Sequence, residues 1–215
     1  NYMTTTRVRV DADLTDNVST TIRLINERDW GIADATGNRN SNIDIDLAYV
    51  TLKEFLYSPL TLKVGKQDLR LGSGLVIGDG VLTDPAGLLE ADKSSRKAFD
   101  AIVSVLDYDP LIVYAGIAKL AETTQITTDD TDAYILDAVY KFNDMNAVAD
   151  LSYVLAFSSG DVATKTFKTN VLDLRLTADP IKNLSTELEY AYQFGRASVT
   201  TTNRDLKAWA ATVGA

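Results

Sequence analysis

Glu187 and Glu189 lie two residues apart in the stretch DPIKNLSTELEYAYQFGR, residues 179–196. If that stretch is extended, both side chains leave one face with their Cα atoms ~7 Å apart. Carboxylates at about 5–9.5 Å can hydrolyse a glycosidic bond as an acid and a base or nucleophile. Nothing else in the chain builds a sugar site around them, and same-face carboxylates are common wherever a β wall meets water. The chain has no His and no Cys. Serine–histidine catalysis, thiol nucleophiles, disulfides and imidazole or thiolate metal sites therefore drop out together. Asp79, Asp84, Glu90 and Asp92 could offer oxygens to Ca²⁺, but their spacing is not that of an EF-hand loop. The glycines of GSGLVIG (72–78) follow a strand-like segment without the Lys-Ser/Thr of a phosphate loop. The expectation is no catalytic residue, no metal and no cofactor: not an enzyme.

Charged residues recur at alternate positions instead. Arg7, Arg9, Asp11 and Asp13 are interleaved with Val8, Val10, Ala12 and Leu14. Arg23, Glu27 and Asp29 share a parity further on, and Lys63, Asp100, Asp137, Lys141, Asp150, Asp173, Arg175, Glu187 and Glu189 extend the pattern. In a dry core such a row would cost several kcal/mol for each unpaired charge. On the inside of a water-filled barrel it costs little and selects which solutes pass.

The elements that must carry these residues are strands. Period-2 alternation runs from end to end, and helical periodicity does not persist. Strands are predicted at 2–14, 18–30, 42–56, 60–71, 97–107, 111–121, 132–142, 147–158, 169–179, 184–195 and 204–215. Each is near the ~9–11 residues or more of a tilted membrane strand. Short turns rich in Asp, Asn and Pro fall at 15–17, 57–59, 108–110, 143–146 and 179–183. Longer polar segments fall between them at 31–41, 72–96, 122–131, 159–168 and 196–203. Short turns at one end and long loops at the other are the mark of an outer-membrane barrel.

The faces agree. Leu184, Leu188, Tyr190, Tyr192 and Phe194 oppose Glu187, Glu189 and Gln193, and Leu172, Leu174 and Leu176 oppose Asp173 and Arg175. Tyr and Phe gather near strand ends, as interfacial girdles do. With the apolar face toward lipid, the charged face lines a lumen. Three strands resist this reading. In 42–56, Ile43, Ile45, Leu47 and Tyr49 share a face on which Lys53 then lands. In 60–71, a β-bulge at Gly65 would turn Lys66, Asp68 and Arg70 inward and Leu69 and Leu71 outward. Segment 111–121 is apolar on both faces and has no evident orientation.

At SPLTLKVGKQDLRLGSGLVIGD (58–79) the sequence resembles the alginate-export family of outer-membrane porins, in which a strand with Gly-Lys/Arg-Gln runs into a glycine-rich loop. The resemblance continues at RKAFDAIVSVLD (96–107), where Arg96 shortly precedes Phe99-Asp100 at a strand start, and at DLKAWAATVGA (205–215). It implies a barrel carrying a hydrophilic solute or polysaccharide across the outer membrane. By position it places Lys66, Gln67, Arg70, Arg96 and Asp100 at or near the lumen wall. Eleven strands leave an open edge, so the chain is expected to be a segment of a larger, even-stranded barrel.

The sequence thus leads to an all-β, antiparallel up-and-down transmembrane β-barrel as one domain over 1–215, with 72–96 as a long loop that constricts or caps it. The expected role is passive passage of small hydrophilic or charged solutes, oligosaccharides included. A plugged structural barrel that conducts nothing is the alternative. A formal charge of −9 argues against nucleic acid as a partner. Outer-membrane lipid and hydrophilic solutes are the expected partners. Porins often trimerise, which makes a homo-oligomer one expected state, with no interface legible in the sequence.

Overall fold

The structure is a computed structural model that describes residues 2–30, 43–78, 98–121, 130–158, 166–199 and 202–215. Eleven strands follow in order: β1 (Met3–Thr15), β2 (Val18–Asp29), β3 (Asp44–Leu52), β4 (Leu60–Asp68), β5 (Ala98–Asp107), β6 (Leu111–Ala121), β7 (Thr131–Phe142), β8 (Ala147–Ser158), β9 (Thr166–Ile181), β10 (Leu184–Val199) and β11 (Thr202–Gly214). They form a single sheet in sequence order, every neighbouring pair antiparallel. This is the up-and-down meander that the alternation of short turns predicts.

The turns explain themselves chemically. Asn146 and Asn183 close two of them at φ +46 and +67, a left-handed conformation that Asn tolerates better than most residues. The segment 196–203 behaves differently from the expectation of a long loop. β10 continues to Val199 and β11 starts at Thr202, with those two residues paired. Val199 and Thr202 are β-branched, which favours the ladder over an open loop.

One face of the sheet is apolar and accessible: Leu172, Leu174 and Leu176 on β9 and Leu188, Tyr190 and Tyr192 on β10 are all exposed. The other face holds the buried residues, among them Asp150, Ser152 and Val154 on β8 and Asp173, Glu189 and Ala191 on β9 and β10. This inverts the arrangement of a soluble protein and suits a wall with lipid outside. The first is called the outer face and the second the inner face.

Gly65 carries no bulge. It pairs with Tyr49 and Ala101 in an unbroken register, although its φ is +123 and a Cβ there would lie 2.3 Å from the Ala48 carbonyl oxygen. The extra residue lies one strand away. Arg23 pairs with Leu47 and Leu24 with Ile45, so Asp46 is skipped. Ile45 is exposed on the outer face, while Asp46 and Leu47 are both buried. A bulge at Asp46 accounts for the difficulty in 42–56, because the apolar parity switches there from odd to even.

β6 acquires an orientation from its partners. Its Ala118 pairs with buried Ala101 and buried Ala133 and points inward, while Leu111 and Ile117 point outward. Its inner face is apolar because it is covered. Leu71 and Ile77 pack against Phe99, Val103, Ala118, Ile135 and Val154, with Val76 and Tyr114 alongside. The inner face of β5–β8 therefore carries a covered apolar patch beside Asp137, Asp150 and Ser152, where the sequence predicts a polar, wet wall throughout.

Candidate functional site

The charged residues of the inner face form two groups bridged by one segment. In the first, on β1–β3, the bulge presents the Asp46 carboxylate to two guanidinium groups. Arg23 Nε lies 2.5 Å and Arg7 Nε 3.4 Å from it. Arg23 also reaches Asp68 at 3.5 Å. Arg9 and Asp11 pair along β1 at 2.8 Å, and the Thr21 hydroxyl donates to Asp11 at 2.7 Å. Nearby, the Lys63 ammonium lies 5.8 Å from the centre of the Tyr49 ring. Each charge is tied to a neighbour, which holds long side chains along the wall.

The second group is acidic. Strand pairing aligns Asp137, Ser152 and Asp173 in one row and Asp150, Arg175 and Glu189 in the next. Asp137, Asp150, Asp173 and Glu189 are all buried. The Ser152 hydroxyl lies 2.8 Å from Asp137 and 3.5 Å from Asp150. Arg175 donates to Glu187 at 2.6 Å. Among the described residues Asp173 Oδ1 has no hydrogen-bond partner.

The bridge is the end of β4 and the stretch that follows it. Leu69, Leu71 and Gln67 lie on the inner side, Gln67 donating to the Ala101 carbonyl at 3.1 Å. The chain then closes a small loop, with Leu71 N–H donating to Ile77 and Gly74 N–H to Leu71, each at 2.8 Å. Its tip meets the acidic group: the Ser73 N–H donates to Glu189 Oε1 at 3.3 Å, and the Ser73 hydroxyl donates to Glu189 Oε2. Gly72 suits its place through its φ of +54 and the closeness of its neighbours. A Cβ there would sit 2.9 Å from Glu189 Oε1 and 3.2 Å from Arg175 Cδ. Leu71, Val76 and Ile77 supply the apolar side of the same attachment.

The predicted lining residues separate as follows. Arg7, Arg9, Asp11, Arg23, Lys63, Gln67, Asp137, Asp150, Asp173, Arg175, Glu187 and Glu189 share the inner face. Lys66 and Asp100 do not. They pair with each other on the outer face, in phase with Val64 and Ile102, because β4 keeps its parity through Gly65. Lys66 donates to the Ile45 carbonyl at 2.7 Å. Arg70 folds over its own loop and donates to the Ser73 carbonyl. Arg96 lies outside the described residues, as do 79–95 of the expected 72–96 loop and the Glu27 side chain. Asp46 and Ser73 complete the site without being singled out by the sequence pattern. For Asp46 a signal exists in the parity switch from Ile45 to Val50, whereas Ser73 has none, since its partner is 116 residues away.

Glu187 and Glu189, the pair spaced for glycoside chemistry, are both engaged, one by Arg175 and the other by Ser73. Among the described residues no group of three or more acidic side chains is arranged to hold a metal ion.

The family model for alginate export matches the chain over residues 1–215. No curated protein matches it. Among solved structures it is similar to a loop L8 deletion mutant of OmpT, an outer membrane protein of Vibrio cholerae, at 12% identity over 94% of this chain and 76% of that one, TM-score 0.48. It is also similar to a mutant of the Rh. blastica porin at 11% identity over 99% of this chain and 91% of that one, TM-score 0.31.

Proposed function

This chain belongs to the alginate-export family, and from that premise we propose that it forms a constricted channel for passive passage of small hydrophilic or charged solutes, oligosaccharides among them. It is an all-β protein of the bacterial outer membrane, of a porin-like transport family rather than an enzyme family. The observation that carries the finer reading is the attachment of Ser73 to Glu189 on the inner face. A segment tied across the lumen wall at mid-strand narrows the passage at a fixed depth. The buried carboxylates of β7–β10 act in this reading as its anchorage. Arg7, Arg9, Asp11, Lys63 and Glu187 are proposed as charges that passing solutes meet. The whole of 1–215 is proposed as one barrel domain, with the segment from residue 72 onward as its constriction.

A second reading rests on one feature. Leu71, Val76 and Ile77 bury apolar surface against the inner wall, which dries part of the lumen and would suit a plugged structural barrel. Single-channel recording of the full-length protein in a planar bilayer under a salt gradient separates the two. Discrete conductance steps are expected, with the reversal potential reporting which sign of lumen charge governs passage. A silent bilayer containing folded protein would leave only the plugged barrel.

A further inference from the structure

On the outer face of β9–β11, the register builds a grid that changes character with height. Leu174, Tyr190 and Ala211 form one row, and Leu172, Tyr192 and Trp209 the next. Two residues further toward the 159–165 end come Asn170, Phe194 and Lys207, and beyond them Lys168, Arg196 and Asp205. The last two rows line an open groove of about 600 Å³. This end of the sheet is the one with the longer connections, which in outer-membrane barrels faces outward. Tyr192 and Trp209, 37% and 70% exposed, mark the level of the interface. One strand step of two residues rises ~7 Å, so Lys207 stands ~7 Å and Lys168 and Arg196 ~14 Å along the strands beyond that level, in the headgroup region where lipid phosphates would be.

The groove carries three cations and one carboxylate in a chain whose net charge is −9. Arg196 is steered by Asp205 at 3.5 Å yet remains 83% exposed. Lys168 and Lys207 have no ion pair among the described residues. The corresponding outer-face row on β4–β7 is different. There Lys66, Asp100, Lys119 and Asp132 alternate in sign along the register, and Lys119 is held by Asp132 at 3.1 Å and Asp130 at 3.2 Å. That row neutralises itself; the groove does not. Between the cations, the Asn170 amide accepts from Tyr153 at 2.7 Å and donates to the Phe194 carbonyl at 3.2 Å.

We propose that the β9–β11 groove binds the phosphorylated headgroup of an outer-leaflet glycolipid. Lys168, Arg196 and Lys207 meet the phosphates, and the Phe194–Tyr192–Trp209 surface below receives the upper acyl chains. The proposal rests on the outer-membrane placement and its outward orientation, and is independent of whether the lumen conducts.

The test is native mass spectrometry of the full-length protein with diphosphorylated lipid A and with the same lipid stripped of phosphate. One tightly held lipid A is expected, and at least tenfold weaker binding of the dephosphorylated form. The K168Q, R196Q, K207Q triple variant should bind lipid A about 100-fold more weakly, at about 1 kcal/mol for each surface cation. Lys119→Gln, on the self-neutralised row, should bind as the parent does. Equal binding of both lipids by the parent protein overturns the proposal without reference to any variant. Displacement of lipid A by millimolar inorganic phosphate overturns the lipid assignment, and so does equal loss in Lys119→Gln.

Discussion

The Ser73 backbone N–H donates to Glu189 Oε1 at 3.3 Å, joining the loop after β4 to β10 across 116 residues of chain. Among the described residues all of the strand pairing links sequence neighbours; this contact does not. Glu189 is fully buried beneath the loop. Glu189→Ala therefore removes the acceptor of both donors of half-buried Ser73. A cost of about 1–3 kcal/mol is expected for the loss of hydrogen bonds to a charged acceptor, read as a lower urea midpoint for unfolding from vesicles. The same variant should show larger or noisier single-channel steps as the loop loosens, and an unchanged trace would detach Glu189 from the constriction.

Asp46 offers a test of the arginine clamp. Asp46→Ala removes the nearest carboxylate from Arg23, whose side chain is 12% exposed, and leaves it Asp68 at 3.5 Å with Arg7 alongside. Breaking a buried pair outright costs about 3–5 kcal/mol, and with Asp68 still in reach a loss below that range is expected. Combining Asp46→Ala with Arg23→Met should recover much of that loss. Denaturant midpoints for the two singles and the double give the coupling, and strictly additive losses would mean that the pair does not interact.

Gly65 cannot accept a side chain. An added Cβ meets the Ala48 carbonyl oxygen at 2.3 Å, and the φ of +123 is itself strained for other residues. Gly65→Ala should prevent formation of the heat-stable folded band on gels. Gly214→Ala, where the nearest contact would be 3.7 Å, should fold as the parent does. Equal behaviour of the two would contradict the close β3–β4 approach.

The outer face is tested by depth. Leu174 lies mid-strand among exposed leucines, and Leu184 starts β10 beside a turn. Arginine at Leu174 should cost about 2–4 kcal/mol, and at Leu184 only about 0–1. Equal costs in vesicle refolding would mean that Leu174 does not face the hydrocarbon.

Much of this fold was readable without coordinates because a strand's period is independent of its partners. Leu172, Leu174 and Leu176 against Asp173 and Arg175 declare a wall with two solvents, and Asp, Asn and Pro announce the turns between strands. The reading failed where a single residue changes phase. Gly65 looked like the site of the bulge because glycine is the usual mark of one, yet the skipped residue is Asp46, whose carboxylate two arginines hold inside. That one error put Lys66 on the wrong face. Segment 111–121 was unreadable for another reason: its inner face is apolar because a distant loop covers it, and no local pattern records a distant cover. The tie between Ser73 and Glu189 was hidden in the same way.

A meander bonded only between successive strands can change size in evolution by copying or losing a hairpin, since no other connection needs rewiring. The Ser73–Glu189 tie removes that freedom from part of the wall. A hairpin gained or lost between β5 and β9 would carry Glu189 away from the loop that rests on it. Lineages of this barrel should therefore vary in strand number outside that stretch and keep it constant within.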